Sequence, residues 1–311
     1  MDILLNSSID LLVVLGPTAT GKTKLAVQLA EKLNGEIIYA DSRQVYKGMD
    51  IGAGKDLDEY ESHGNTIPHH LIDIAEPMEE YNVAQFQDDF YRVFTEIRDR
   101  NNLPILCGGT GFYIKAVLMD FKLPTVAPDK QLRQELESWT LEDLIQELEN
   151  ILPGAYENTP VDTKRRVIRA IEVEMNKEQE VEVRSKSTSK VQNPLVLGVE
   201  YHRHVIRERI TKRLYERLEK GMIEEVELLL QNGVTHERLD NLGLEYRFIS
   251  QYIQGEIAIA EMTTQLNTAI HRFAKKQMTF FRNMEKNGIN IHWIKEGNLE
   301  TALQLIHNYK V

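Results

Sequence analysis

Eight residues near the start of the chain, Gly16-Pro17-Thr18-Ala19-Thr20-Gly21-Lys22-Thr23, restrict its fold more than any other stretch. They match G-x-x-x-x-G-K-[ST], a loop whose backbone N–H groups cradle phosphate oxygens. The flanks agree. Leu11-Leu12-Val13-Val14-Leu15 reads as a buried strand, and Leu25, Ala26, Leu29, Ala30 and Leu33 recur at helical spacing after the loop. Strand, glycine turn and helix together aim a helix N-terminus at an anion. Lys22 then brings a point charge to the phosphate chain, and the Thr23 hydroxyl holds Mg²⁺. The motif leaves open which phosphate compound binds, and whether phosphate is transferred or departs.

The 311 residues, 42% of them hydrophobic, suffice for one large domain carrying an insertion. No apolar run approaches the roughly 18–20 residues that span a bilayer. Met1 to Asp10 has no basic stretch of the secretory kind, so no membrane association and no export are expected. Cys107, the single cysteine, excludes an internal disulfide and fits a reducing cytoplasm; its apolar neighbours mark it as a core residue rather than a nucleophile. A net charge of −11 weighs against nucleic acid, but the charge is uneven. Gln131–Glu157 carries seven acidic residues against one arginine, whereas Tyr201–Lys220 carries seven basic against three acidic, and His271–Lys286 five against one. Such local basic patches keep phosphate-rich partners open.

Alternating strand and helix patterns continue through the first third of the chain and argue a parallel sheet. Glu36–Ala40 reads as a second strand, Pro68–Ile74 as a strand or edge segment, Val83–Arg100 as a helix and Leu103–Cys107 as a further core strand. Prolines 124 and 128 mark a boundary, after which Asp129 to about Met175 is helical and Asn176–Asn193 is a polar connector. Pro194–Val199 returns as an apolar strand. Helices are expected over Val205–Lys220, Ile223–Gln231, Tyr246–Tyr252 and Ala258–Asn283, with a last strand at Ile289–Ile294. The expected organisation is therefore an α/β core of the P-loop NTPase type, residues 1–123 and 192–311, interrupted by a helical insertion at 124–191.

Asp41 ends the second strand and so falls on the sheet edge that carries the phosphate loop, where ligands of open α/β sheets gather. It can orient Mg²⁺ or accept a proton, or it can cap the following turn together with Ser42. Gly108-Gly109-Thr110-Gly111 closes another strand with glycines around a hydroxyl, which admits a substrate or simply makes a tight turn. Arg165 and Arg169 share a helix face beside Arg166, with Val167 and Ile168 turned inward. That pattern suits phosphates, or an ordinary salt-bridged surface. Arg209, Arg213 and Arg217 recur every four residues along an apolar seam, where a guanidinium can reach a phosphate site or snorkel to solvent. His69 and His70 have no second pair at zinc-ligand spacing. Arg272, Lys275, Lys276 and Arg282 interleave with Phe273, Phe280 and Phe281, as on a nucleic-acid surface or on a packed amphipathic helix.

Beyond the phosphate loop, the chain carries Asp41-Ser42, Val45-Tyr46-Lys47-Gly48-Met49-Asp50-Ile51-Gly52, Pro68-His69-His70-Leu71-Ile72-Asp73, Tyr81-Asn82-Val83-Ala84-Gln85-Phe86, Gly108-Gly109-Thr110-Gly111-Phe112-Tyr113, Arg165-Arg166 through Val173, and Ala274-Lys275-Lys276-Gln277. In this order, over nearly the whole chain, the series resembles the tRNA dimethylallyltransferases (tRNA isopentenyltransferases). Two departures stand out. The Gly-Tyr-Arg element of the family is here Leu242-Gly243-Leu244-Glu245-Tyr246-Arg247, with extra residues between Gly and Tyr, and Arg43 stands where some relatives lack an arginine.

The resemblance implies transfer of a dimethylallyl group from dimethylallyl diphosphate to N6 of adenine 37 in tRNAs reading codons that begin with U, by a cytoplasmic monomer. Gly16 to Thr23 would hold the diphosphate as a leaving group, with Lys22, Thr23-bound Mg²⁺ and Arg213 neutralising its charge. Asp41 would take the proton of a flipped-out adenine. Asp41, Ser42, Arg43, Gln44 and Thr110, together with Arg133, Arg165, Arg166, Val167, Ile168 and Arg169 of the insertion, would meet the tRNA. Three other readings share parts of the pattern: a small-molecule kinase using ATP, an isopentenyltransferase acting on free adenine nucleotides, and a nucleic-acid-binding module with a vestigial loop. The long acidic insertion disfavours the first, the same insertion is superfluous to the second, and intact Lys22, Thr23 and Asp41 argue against the third.

Overall fold

The computed structural model describes residues 9–62, 65–121, 123–124, 126, 128–155, 161–176 and 190–309. The chain divides into two compact units, Met1–Phe121 with Ser187–Val311, and Lys122–Lys186.

The first unit is built on six parallel strands. They are β1 (Leu11–Leu15), β2 (Gly35–Ala40), β5 (His69–His70), β6 (Leu103–Gly108), β7 (Pro194–Glu200) and β8 (Ile291–Lys295), in the order β5-β2-β6-β1-β7-β8. β3 (Glu61–Ser62) and β4 (Asn65–Thr66) form a separate antiparallel pair. β1 is apolar throughout because both of its faces are covered, as parallel strands require. Leu12 and Val14 point into one layer with Leu25 and Leu29 of α1 (Lys22–Leu33). Leu11, Val13 and Leu15 point into the other with Phe86, Phe90 and Phe94 of α2 (Val83–Asp99) and Ile114 of α3 (Gly111–Leu118). Because all the strands run parallel, every strand's carboxyl end, and the loop after it, lies at one edge of the sheet.

Beside the sheet lies a helical layer: α7 (Arg203–Glu219), α8 (Met222–Gln231), α9 (His236–Leu242), α10 (Leu244–Ile253) and the 28-residue α11 (Ile259–Lys286), with α12 (Leu299–Asn308) closing the chain. Ile210, Leu214, Val226, Ile249, Leu266 and Ile270 share a core with Val45, Tyr46 and Met49 of the loop after β2. That shared core draws the basic row of α7 toward the sheet edge.

The second unit contains α4 (Lys130–Glu137), α5 (Leu141–Ile151) and α6 (Lys164–Met175), packed around Leu136, Leu144, Leu148, Val167, Ile168 and Ile171. Asp129 and Thr140 cap α4 and α5.

Two expectations change. Pro68–Ile74 pairs with the sheet through the Pro68 carbonyl, His69 and His70; Leu71 and Asp73 have φ of 65° and 55°, so the chain leaves the sheet there. α9 and α12 lie outside the expected helices, although Thr235 and Asn298 cap them with side-chain oxygens. Residues 177–189 of the expected connector lie outside the described residues.

Candidate active site

The carboxyl ends of β1, β2 and β6 open into a cleft of about 980 Å³, walled on the far side by α7 and α11. That is the upper end of the size range of small-molecule sites, enough for more than one reacting group. Eight basic and six acidic side chains line it, a local excess of positive charge on a chain of net −11.

The phosphate loop forms the floor. Thr18, Ala19, Gly21, Lys22 and Thr23 line the cleft, while Gly16, Pro17 and Thr20 frame the loop; the buried Thr20 hydroxyl donates to the Pro17 carbonyl at 2.9 Å. Ala19 and Gly21 adopt left-handed φ of 63° and 73°, so the chain curls and its N–H groups converge. Lys22 and Thr23 open α1, where first-turn N–H groups have no intrahelical acceptor. Burial, with Arg213 adding to it, pushes the Lys22 ammonium below its ordinary pKa, against Cys107, Asp41 and Glu59. An arriving polyanion therefore meets a poorly solvated cation, and the pair gains more than it would in water. Beneath the loop the Thr23 hydroxyl meets the Tyr39 hydroxyl at 3.2 Å. Burial holds Tyr39 protonated and pushes the Cys107 thiol up to about 12. Cys107 is thus a neutral core thiol, not a nucleophile.

The second wall comes from β2 and β6. Asp41 follows β2 and accepts the Arg43 N–H through Oδ1 at 2.9 Å, an Asx turn that fixes the carboxylate at the cleft edge. The Thr110 hydroxyl accepts the Ser42 N–H at 3.1 Å, and Thr110 N–H donates to Ala40, so the turns after β2 and β6 are sewn together. The buried Gln44 amide donates to the carbonyls of Ala53 and Gly54 at 3.2 and 2.8 Å and holds the glycine-rich loop behind them.

Sequence reasoning missed what pins that loop. The Glu225 carboxylate of α8 accepts the N–H groups of Asp50, Ile51 and Gly52 at 2.8, 2.6 and 3.0 Å, and the Tyr246 hydroxyl both donates to Glu225 and accepts from Ala53 N–H. Tyr246 is the tyrosine of the divergent stretch, and Gly243 joins α9 to α10 ahead of it. Lys55, buried, donates to the Tyr46 carbonyl, Asp50 and Asp73. No local pattern marks these partners, because they lie up to 193 residues apart.

The basic row of α7 faces the cleft. Arg213 pairs with Asp56 and reaches the Gly54 carbonyl at 3.5 Å. Arg209 lies over the Tyr201 ring at 4.7 Å. Arg217 is held below its usual pKa by burial and by Arg213, while burial raises Glu245 beside it. The loop, Asp41, Ser42, Arg43, Gln44, Thr110 and Arg213 therefore meet in one place, as the sequence suggested, and Arg209, Arg217, Lys276 and Gln277 join them.

Thr23 offers Mg²⁺ one hard oxygen on the loop that would hold a diphosphate, which is the ordinary protein share of a site completed by phosphate and water. No cluster of three or more His, Cys, Asp or Glu side chains arranged for a metal occurs among the described residues.

Arg133, Arg165, Arg166, Val167, Ile168 and Arg169 belong to the second unit. Val167 and Ile168 are core residues there, 0% and 4% exposed, so their side chains are withdrawn from any surface partner. Arg133 makes two bonds of 2.9 Å to the buried Glu172, and Arg169 donates to Glu172 and the Val126 carbonyl. Burial opposes ionisation of Glu172, but these guanidinium bonds and the Asp129 N–H outweigh it and keep its pKa low. Arg166 pairs with Asp162. Arg165 is exposed and has no ion pair among the described residues.

The family model described as IPP transferase matches residues 44–284, and one described as isopentenyl transferase matches residues 9–67. The chain is 50% identical over 286 residues to tRNA dimethylallyltransferase 2 of Shewanella sediminis, covering 92% of this chain and 93% of that protein. It is 47% identical to tRNA dimethylallyltransferase 1 of Parabacteroides distasonis, covering 97% and 99%. Among solved structures, the full-length tRNA isopentenylpyrophosphate transferase of Bacillus halodurans aligns with a TM-score of 0.68 at 36% identity, covering 96% of this chain and 94% of that one.

Proposed function

The chain belongs to the IPP transferase family, and from that premise we propose that it transfers the dimethylallyl group of dimethylallyl diphosphate to N6 of adenine 37 in tRNA, releasing diphosphate. The observation that carries this reading is the meeting of a phosphate cradle with an acid and a hydroxyl, Asp41 and Thr110, in one cleft. A kinase would use the same cradle and an acid; the relatives of this chain favour prenyl transfer.

The loop N–H groups and Lys22 bind the diphosphate, and Arg213 with Arg217 takes up negative charge as the allylic C–O bond breaks. Thr23 would hold Mg²⁺, which would add to the neutralisation of the leaving group. The adenine amine is a poor nucleophile because its lone pair is shared with the ring. Asp41 accepts its proton as the new C–N bond forms, and the carboxylate's Asx turn keeps it aimed. Thr110 positions that turn and contacts the incoming base. A cleft this deep reaches the adenine only out of its stack. Arg165 of the helical unit contributes a phosphate contact to the anticodon stem-loop, while Arg133 and Arg169 organise the helices around Glu172.

The test uses radiolabelled dimethylallyl diphosphate with Mg²⁺ and either tRNA or AMP. Label in tRNA is expected. Label in AMP alone, or phosphorylation of a small acceptor by ATP instead, would replace this reading.

A further inference from the structure

We propose that Gln277 is a positioning residue that sets the register between the two loops the reaction brings together, the phosphate cradle and the turn beside the acceptor base. The inference rests on the prenyl-transfer reading. Gln277 lies on α11, far along the chain from both loops, and is one of the few buried polar side chains, 8% exposed. Its amide is used at both ends. Oε1 accepts the Thr18 N–H of the cradle at 2.9 Å, and Nε2 donates to the Gly109 carbonyl at 2.9 Å.

These loops follow β1 and β6, which are neighbours in the sheet, yet nothing in strand pairing fixes how far apart the loops stand beyond the strand ends. Gln277 spans that gap. The connection continues to the acid: Thr110 follows Gly109 and accepts the Ser42 N–H, and Ser42 follows Asp41. One series of hydrogen bonds thus joins the donor side to the base that serves the acceptor.

The side chain must present an acceptor and a donor from one planar fork, at this reach from the helix. Glutamine alone among the standard residues does so without a proton being added. Alignment matters because bond formation at an allylic carbon needs reacting atoms roughly 3–3.5 Å apart, and a misplacement of about 1 Å can cost on the order of 100-fold in rate.

Gly109 supplies an independent handle. A Cβ there would stand 2.7 Å from Gln277 Nε2, whereas its next neighbours, the Gly16 carbonyl and Lys22 Cε, are at 3.6 Å. Alanine at 109 would therefore press chiefly on the amide and push it out of its bonds.

The experiment measures kcat and both KM values, with dimethylallyl diphosphate and tRNA, for the full-length wild type, Gln277→Ala, Gly109→Ala and the double variant. Each single variant is expected to lose kcat by about 100-fold while both KM values stay within about threefold, because each subsite remains intact. The double variant is expected to be no slower than Gln277→Ala, since the methyl group then meets empty space. Gln277→Met, which keeps the volume, replaces Gln277→Ala if the latter does not fold. A Gln277 variant that melts earlier but turns over within about threefold of wild type would reduce Gln277 to a structural pin and overturn the inference, as would multiplied losses in the double variant. An inactive wild type would instead refute the underlying reading.

Discussion

Glu36 ties the stability of the sheet to pH. It sits on β2, the strand that leads into Asp41, and is 3% exposed. Its carboxylate receives Arg100 Nε and Nη2 at 2.9 and 2.8 Å and Asn102 Nδ2 at 2.8 Å, and pairs with His70 Nε2 at 2.7 Å. Burial works against the charge, but the Arg100, Asn102 and His70 bonds outweigh it, and the pKa falls from 4.5 to about 2. A depressed folded-state pKa stabilises the fold above the unfolded value and is lost as pH falls toward the folded one. At 1.36 kcal/mol per pKa unit, the group contributes about 3 kcal/mol near neutrality and roughly 2 kcal/mol by about pH 3.5. Half-exposed Arg100 makes these upper values, because solvent and salt screen it. Glu36→Gln keeps the volume but turns an acceptor into a donor facing a guanidinium. The assay is urea unfolding followed by Trp293 fluorescence in a Trp139→Phe background, so that the sheet is read without the helical unit. The stability difference between the parent chain and its Glu36→Gln variant is expected to be large at neutral pH and to shrink on acidification. A difference below about 1 kcal/mol at pH 7, or one that is constant with pH, would show that Glu36 does not carry this pH dependence.

Asp41→Ala is expected to reduce kcat far more than tRNA affinity, since a proton acceptor acts mainly in the transition state; filter binding beside single-turnover rates separates the two, and lost binding with surviving turnover would contradict the role. Arg165→Ala should weaken tRNA binding and lower the slope of log K against log salt by about one, whereas an unchanged slope would return Arg165 to the ordinary surface. Glu172→Gln should destabilise the helical unit by about 2 kcal/mol, less than a fully buried pair would cost because Arg133 and Arg169 can regain water; Trp139 fluorescence in a Trp293→Phe background reads it, and an unshifted transition would show the cluster to be dispensable.

Most of the cleft floor was legible in the sequence. The loop from Gly16 to Thr23 is a contiguous motif whose geometry is local, and Asp41 and Thr110 follow from the rule that parallel strands present their carboxyl ends together. The arginines of α7 were legible only as a stripe; burial against Val45 and Met49 decides that Arg213 and Arg217 face the cleft. In the helical unit, spacing suggested Arg169 and the family resemblance suggested Arg133 as phosphate ligands, and neither reveals the buried Glu172 that both bond.

Features that depend on neighbours within a few residues are legible in the amino-acid order: the phosphate loop, the apolar strands and the long helices. The pairings that close the site arise only on folding, namely Gln277 with Thr18 and Gly109, Glu225 with the N–H groups of residues 50–52, and Tyr246 with Ala53. The reason is physical. A helix or strand follows from local periodicity, but a hydrogen bond between residues more than a hundred positions apart exists only once burial has chosen which surfaces meet and removed the water that would otherwise satisfy both groups.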